Sequence, residues 1–117
     1  MSGAMPAAHF PIEIEQGATF SRTLTFRNKL TNALFDFTGA TGRGQVRDGY
    51  GGPLIADFTV SFPSPLTQGV LIFSLTKAQT LAIKSSKNLI YDIYIDIGSD
   101  SSRAVEGAVT ISPTVTA

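Results

Sequence analysis

The stretch that most constrains the fold is residues 88–97, which read N-L-I-Y-D-I-Y-I-D-I. It is the longest run of strong strand formers in the chain, and it contains neither glycine nor proline. Its odd-numbered positions are apolar or tyrosine, whereas its even-numbered positions include two aspartates and a second tyrosine. This alternation predicts a central strand with one buried face and one half-exposed face.

Six further segments have strand-like patterns, and turn residues separate them at intervals of about 8–12 residues. The predicted strands are residues 10–15, 19–27, 41–48, 54–62, 70–75, 88–97 and 103–112. Pro11 indicates that the first strand lies at a sheet edge. Gly42, Gly44 and Gly107 predict bulges or close backbone approaches within their strands. About seven short strands of this kind are typical of an all-β antiparallel sandwich.

One segment changes from a strand period to a helix period. Thr76 and Gln79 have the spacing of a capping box, and apolar residues then recur at helical spacing. We predict a short helix over residues 77–84. Two helical turns are not stable in isolation, so this helix is expected to bridge the ends of two sheets.

Length and composition predict one domain. Residues 1–9 are small, proline-containing and aperiodic, and we interpret them as an N-terminal arm, leaving residues 10–117 as the sandwich. The chain has no cysteine, so disulfides, thiolate metal sites and cysteine nucleophiles are excluded. No secretory signal pattern or long apolar run is present, so we expect a soluble protein made in a cytoplasm.

The charge content argues against nucleic-acid binding. Nine basic residues balance nine acidic residues, whereas neutralising phosphates requires an excess of lysine and arginine. Only 15% of the residues are charged, compared with about 25% in typical soluble domains. Low surface charge with no net charge favours association, so we expect an assembled, multicopy state.

The few candidate catalytic or metal-binding residues do not form a recognisable site. His9 is the single histidine and is interpreted as a surface residue of the arm. Asp92 and Asp96 are four positions apart on a strand, or about 13 Å. One cation requires oxygens at about 2.3–2.6 Å, so they cannot share an ion. Asp100 would join Asp96 only if the turn folded back, and solvated acids are the preferred interpretation.

Two other features are candidates for recognition rather than catalysis. Residues 42–52 are glycine-rich but lack a phosphate-loop pattern, so they are interpreted as turns, or as a loop that presents Tyr50. Tyr91 and Tyr94 face opposite sides of the central strand. One is expected in the core, and the other is expected to face outward with Asp92 and Asp96. No serine or threonine lies in a nucleophile motif, so we predict no enzyme, no cofactor and no metal.

Several segments resemble a group of small structural proteins of tailed bacteriophages. They are residues 12–26, 36–41, 45–52, 90–95 and 103–116, which include Q-V-R-D-G-Y-G-G and R-A-V-E-G-A-V-T-I-S-P-T-V-T. The chain is also similar to the Ig-like N-terminal domains that attach receptor-binding proteins to baseplates. The resemblance implies an Ig-like β-sandwich and a virion location, and it implies no catalytic residues.

The function expected from the resemblance is docking between proteins in a tail, baseplate or fibre-attachment region, through sheet edges and the arm. The predicted partners are other virion structural proteins and further copies of the chain, without nucleic acid or membrane. Two alternatives stay open, a capsid decoration protein and a carbohydrate-binding sandwich. The residues predicted to make contacts are Met5, Pro6, His9, Phe10, Arg47, Tyr50, Pro113 and Thr116.

Overall fold

A computed structural model describes residues 8–84 and 87–116. In these ranges the chain forms eight β-strands, one α-helix and a 3-10 turn at Leu66–Gln68. The strands are β1 (Ala8–His9), β2 (Ile12–Glu15), β3 (Phe20–Thr25), β4 (Ala40–Asp48), β5 (Leu54–Ser61), β6 (Val70–Leu75), β7 (Leu89–Ile97) and β8 (Asp100–Ser112). The helix α1 spans Lys77–Ala82 and connects β6 to β7. The predicted all-β class is confirmed.

The strands form one strongly curled sheet with the order β1-β8-β7-β4-β5-β6-β3, and β2 also pairs with β8. The first half of β5 pairs with β4 and its second half pairs with β6, so β5 passes between two layers. We call the layer of β1, β2, β8, β7, β4 and the first half of β5 the front sheet. Strands β3, β6 and the rest of β5 form the back sheet. This strand pairing is that of an Ig-like sandwich.

Strand β7 is central, as predicted, because it pairs with β4 on one side and with β8 on the other. Its odd-numbered residues from 89 to 95 are buried, whereas its even-numbered residues from 90 to 96 are half-buried on the outer face. Aromatic rings fill the space between the two sheets. Four of them, Phe20, Phe58, Phe73 and Tyr91, contact one another at centroid distances of 5.2–6.1 Å.

The predicted capping box is present at the start of α1. The Thr76 hydroxyl accepts a hydrogen bond from the backbone N–H of Gln79 at 3.2 Å, and the Gln79 side chain accepts one from the Thr76 N–H at 2.8 Å. The Gln79 amide also donates to the carbonyl of Asp57 at 2.9 Å, which fixes the helix against β5. Within the described residues, no helix has the length and apolarity needed to cross a membrane.

Replacing Thr76 with alanine is expected to lower the free energy of unfolding by about 1 kcal/mol, because the N-cap hydrogen bond is lost. Urea denaturation followed by circular dichroism measures the change. Thr23→Ala, on the exposed side of β3, is the matched control and should change stability by less than about 0.5 kcal/mol. Equal losses in the two variants would show that the cap does not stabilise α1.

The start of the sandwich differs from the prediction. Residues 1–9 were expected to form an arm, but Ala8 and His9 form β1 and pair in parallel with Val105 and Glu106. The strand predicted over residues 10–15 begins only at Ile12, and it is separated from β1 at Pro11, which has no N–H to donate. Two paired residues are too few to produce a visible alternation in the sequence. Met5 and Pro6 lie outside the described residues.

Of the two alternatives predicted at the glycines, the structure shows close approach and not bulges. The bulges lie opposite Val46 and Arg47 in β5, and opposite Ile93 and Tyr94 in β8. Regular alternation with the buried Ala56 would place Leu54 inside, but the β4–β5 shift leaves Leu54 46% exposed. The glycines instead permit close approach, since side chains or backbone lie within 2.2–2.6 Å of where a Cβ atom would stand at each of them.

Candidate functional site

A groove of about 720 Å³ lies on the outer face of the front sheet, and we call it the outer groove. Its walls combine charged, aromatic and small apolar side chains from five strands and the β4–β5 loop. The polar, aromatic and apolar residues that line it include His9, Arg43, Gln45, Arg47, Tyr50, Asp57, Ile90, Asp92, Tyr94, Glu106 and Ala108. No described part of the chain covers these side chains, although those on β7 are half-buried by their neighbours on the sheet.

Strand register explains why polar side chains converge here. Gln45 lies opposite both Asp57 on β5 and Asp92 on β7, and Asp92 also lies opposite Glu106 on β8. His9 on β1 lies opposite Glu106 and completes the row. Neighbouring strands are about 4.8 Å apart, so each side chain in this row is within reach of the next. We call these five residues the polar row.

One end of the polar row is held by a network around Gln45. The Arg47 guanidinium donates from Nε and Nη2 to the Gln45 amide oxygen at 3.1 and 2.9 Å. It also donates from Nη1 to the carbonyl of Gly52 at 2.9 Å. The Gln45 amide nitrogen donates in turn to Asp57 at 3.0 Å. These bonds fix the Gln45 amide and tie the β4–β5 loop to the sheet.

A second network surrounds Tyr94. The Arg43 guanidinium lies 4.6 Å from the centroid of the Tyr94 ring and forms an ion pair with Asp96 at 3.0 Å. The Arg103 guanidinium lies 6.0 Å from the same ring and forms an ion pair with Glu106, also at 3.0 Å. Hydrogen bonds from Arg43 and Ser101 hold the pKa of Asp96 below its usual range. Cation–π contacts and ion pairs together fix the tyrosine on the surface.

Asp92, at the centre of the polar row, has a different environment. Among the described residues it makes no hydrogen bond or ion pair, although Arg43, Arg47 and Arg103 are near enough to act on its charge. Partial burial raises the pKa of Asp92, and this effect outweighs the attraction of the arginines. The carboxylate is therefore kept on the surface at a cost to stability, which is a property that functional sites often have.

The raised pKa of Asp92 predicts a pH dependence with a definite sign. Between its unfolded and folded pKa values the native state binds more protons, so this group makes stability fall as the pH rises through that window. Asp92→Asn should therefore raise the free energy of unfolding at pH 7, and the difference should vanish below about pH 4. Denaturant titrations at several pH values measure it.

The control for this prediction is Asp96, whose folded pKa is lowered. Its contribution is present above the unfolded pKa and is lost as the pH falls, so Asp96→Asn should reduce stability at pH 7 and have no effect at low pH. If both variants lose stability at pH 7, the assigned environment of Asp92 is wrong.

Tyr50 stands at the rim of the outer groove, at the tip of the β4–β5 loop. Its side chain is 86% exposed. Gly49 and Gly51 on either side have positive φ angles of 85° and 69°, which the tight loop requires and which other residues adopt at a cost. Backbone hydrogen bonds order this loop, since the Gly49 N–H donates to the Asn88 carbonyl at 3.0 Å and the Gly52 N–H donates to the Gly49 carbonyl at 3.1 Å. An exposed tyrosine on an ordered loop loses less conformational entropy when a partner binds.

The structure brings together three of the predicted contact residues, because His9, Arg47 and Tyr50 all line the outer groove. Phe10 is half-buried outside the groove, since its ring packs against the core and its carbonyl accepts a hydrogen bond from the Tyr91 hydroxyl. Pro113 and Thr116 are exposed, but they lie beyond the end of β8 near Gln16 and not in the groove.

The sequence interpretation did not identify the polar row as a unit. The outward-facing half of β7, with Asp92, Tyr94 and Asp96, was identified from its alternation and lies as predicted. Arg43, Gln45 and Glu106 were missed because their importance depends on register between strands that are far apart in sequence. In residues 8–84 and 87–116, no three His, Cys, Asp or Glu side chains cluster closely enough to hold a metal ion.

Comparisons with known proteins give matches among solved structures alone. No protein-family model matches the sequence, and no curated protein matches it. Among solved structures, the N-terminal Ig1-2 module of the Drosophila receptor protein tyrosine phosphatase DLAR is similar over 89% of this chain and 45% of that chain. The identity is 14% and the TM-score is 0.41. The Ig-like topology described above is defined by the chain's own strand pairing.

Proposed function

We propose that this chain is a non-enzymatic structural protein of a tailed bacteriophage that acts by docking onto other virion proteins. Its place would be the tail, the baseplate or the fibre-attachment region, where it would be present in several copies. The outer groove is the observation that carries the docking function. The virion location is supported by the resemblance of the strand and turn segments described in the sequence.

The outer groove has the chemistry of a protein-binding surface. Tyrosine and arginine are the residue types most enriched at protein interfaces, and they line this groove together with small apolar residues. Most of its charged side chains are held in place by neighbouring polar or charged groups, as Arg43 is by Asp96 and Arg47 is by the Gln45 amide. A surface ordered before binding loses less conformational entropy when a partner docks.

The same geometry makes carbohydrate binding a weaker candidate. Sugars bind to proteins largely by stacking on exposed aromatic faces. In the described part of the groove, the Arg43 guanidinium already lies over the Tyr94 ring, which leaves Tyr50 as the one widely exposed tyrosine. A protein partner uses the ordered polar network as well as Tyr50, and we therefore prefer protein docking.

Immunogold electron microscopy of intact phage particles tests the proposed location. Antibody against this chain should label the tail or its tip, and serum pre-absorbed with the purified protein is the control. Label over the head would instead place the chain among capsid decoration proteins. The absence of label from particles that retain their tails, together with failure to find the chain in purified virions by mass spectrometry, would refute a virion role.

A further inference from the structure

The charged side chains that line the outer groove are paired within the protein, with one exception. Arg43 pairs with Asp96, and Arg103 pairs with Glu106. Arg47 donates to Gln45 and to the Gly52 carbonyl, and Asp57 accepts from Gln45. Among the acidic residues that line the outer groove, Asp92 is the one for which the described residues provide no hydrogen bond or ion pair.

The position of Asp92 makes its unpaired charge unfavourable in the free protein. It lies on the central strand of the sheet, half-buried on the floor of the outer groove, where a charge loses part of its hydration. The charged residues that line the groove, taken together with their ion-pair partners Asp96 and Arg103, are three arginines and four acidic residues, which leave one formal negative charge. A cation brought by a partner would compensate both the lost hydration and the unbalanced charge.

Apolar surface lies next to Asp92 along the strand direction. Ile90 is two residues before Asp92 on the same face of β7, and Ala108 on β8 lies directly opposite Ile90. Residues two apart on a strand are separated by about 7 Å. An extended segment of a partner has the same spacing between alternate side chains. One segment can therefore contact Asp92 and the apolar surface of Ile90 and Ala108 at the same time.

We propose that the outer groove binds an extended segment of a partner protein through an arginine or lysine side chain that pairs with Asp92. A second, apolar side chain two residues along packs on Ile90 and Ala108, and Tyr50 closes over the segment from the rim. This rests on the proposed docking function and adds to it the chemistry of the partner. The segment has the pattern basic–any–apolar.

Titration with short peptides, followed by amide NMR shifts, tests this chemistry without knowledge of the partner. The probes are acetyl-Arg-Gly-Leu-amide and the same peptide with citrulline, which has nearly the same shape but no charge. The arginine peptide should shift the amides of residues 90–94 and 106–108. The citrulline peptide should bind about fivefold more weakly, the largest effect expected for an ion pair at a partly exposed site.

Two variants complete the test. Asp92→Asn should weaken binding of the arginine peptide by the same factor of about five, and it should leave binding of the citrulline peptide unchanged. Asp100→Asn, at the exposed start of β8, is the matched control and should bind as the native protein does. Equal binding of the two peptides to the native protein, shifts confined to other parts of the sandwich, or no shifts at millimolar peptide would each overturn the proposal.

These results are separate from those that test the proposed function. If the antibody labels the tails but the two peptides bind equally, the proposed virion docking function is kept and the basic partner segment is refuted. If the protein binds the arginine peptide selectively but the particles are not labelled, the proposed binding chemistry is kept and the virion location is refuted. Preferential binding of a neutral oligosaccharide at the same amides would refute both the protein partner and the basic segment.

Discussion

Replacing Phe73 with alanine is expected to lower the free energy of unfolding by about 3–5 kcal/mol. The Phe73 side chain is completely buried between the two sheets. Its ring centroid lies 5.2 Å from that of Phe58, 5.7 Å from that of Tyr91 and 5.9 Å from that of Phe20. Removing it leaves a cavity among rings that come from both sheets and cannot all move inward.

Urea or guanidinium denaturation followed by circular dichroism measures this loss. Small domains are stable by only about 5–15 kcal/mol, so Phe73→Ala should remove a large part of the total. Tyr50→Ala removes an aromatic ring that is 86% exposed, and it should change stability by less than about 0.5 kcal/mol. A loss below about 1 kcal/mol for Phe73→Ala would contradict the central position of this cluster.

Replacing Gly107 with alanine is expected to displace the first strands of the sandwich. A Cβ atom at this position would lie 2.6 Å from the carbonyl oxygen of Phe10 and 2.8 Å from its carbonyl carbon. Because both are backbone atoms, the segment around Phe10 must move. We expect a loss of about 1–3 kcal/mol, the usual cost of overpacking.

The displacement has a local consequence that hydrogen exchange measures. The Phe10 N–H donates to the Glu106 carbonyl at 2.8 Å, and the Phe10 carbonyl accepts from the Tyr91 hydroxyl. In Gly107→Ala both bonds should weaken, and the Phe10 amide should exchange faster. Thr110→Ala, an exposed position on the same strand, should leave that amide protected. If hydrogen exchange and stability are unchanged in Gly107→Ala, the position of β1 does not depend on the close contact between Gly107 and the Phe10 backbone.

Elements whose pattern is local were predicted well from the sequence. Strand β7 and its two faces follow from the alternation of residues 88–97, since each side chain's environment is set by its position on one strand. The start of α1 was predicted because Thr76 and Gln79 make their capping bonds within four residues. Tyr50 was identified because the flanking glycines make its exposure a local property of the loop.

Elements that depend on distant parts of the chain were not predicted. The parallel pairing of β1 and β2 with β8 joins residues about a hundred positions apart, and no local pattern encodes it. The exposure of Leu54 results from a register shift between β4 and β5. The outer groove is the largest example. His9 and Arg47 were each selected for separate reasons, but only the register of five strands places them on one surface.

The surface that we propose for docking differs from the one expected from the sequence. Docking was expected at sheet edges and along an N-terminal arm, and nothing in the structure tests that expectation. Our proposal places docking on the outer face of the front sheet, where Arg47 and Tyr50 frame the polar row. In this proposal, Asp92 provides the charge that a basic side chain of the partner balances.

Photo-crosslinking in assembling particles tests most directly whether the outer groove is the docking surface. The chain is supplied during infection with benzoylphenylalanine in place of Tyr50, or in place of Thr23 on the back sheet as the control. After irradiation, purified particles should contain a crosslinked product that joins the Tyr50-substituted chain to another virion protein, with little or none for the Thr23-substituted chain. Crosslinks from Thr23 with none from Tyr50 would contradict the assignment of this groove.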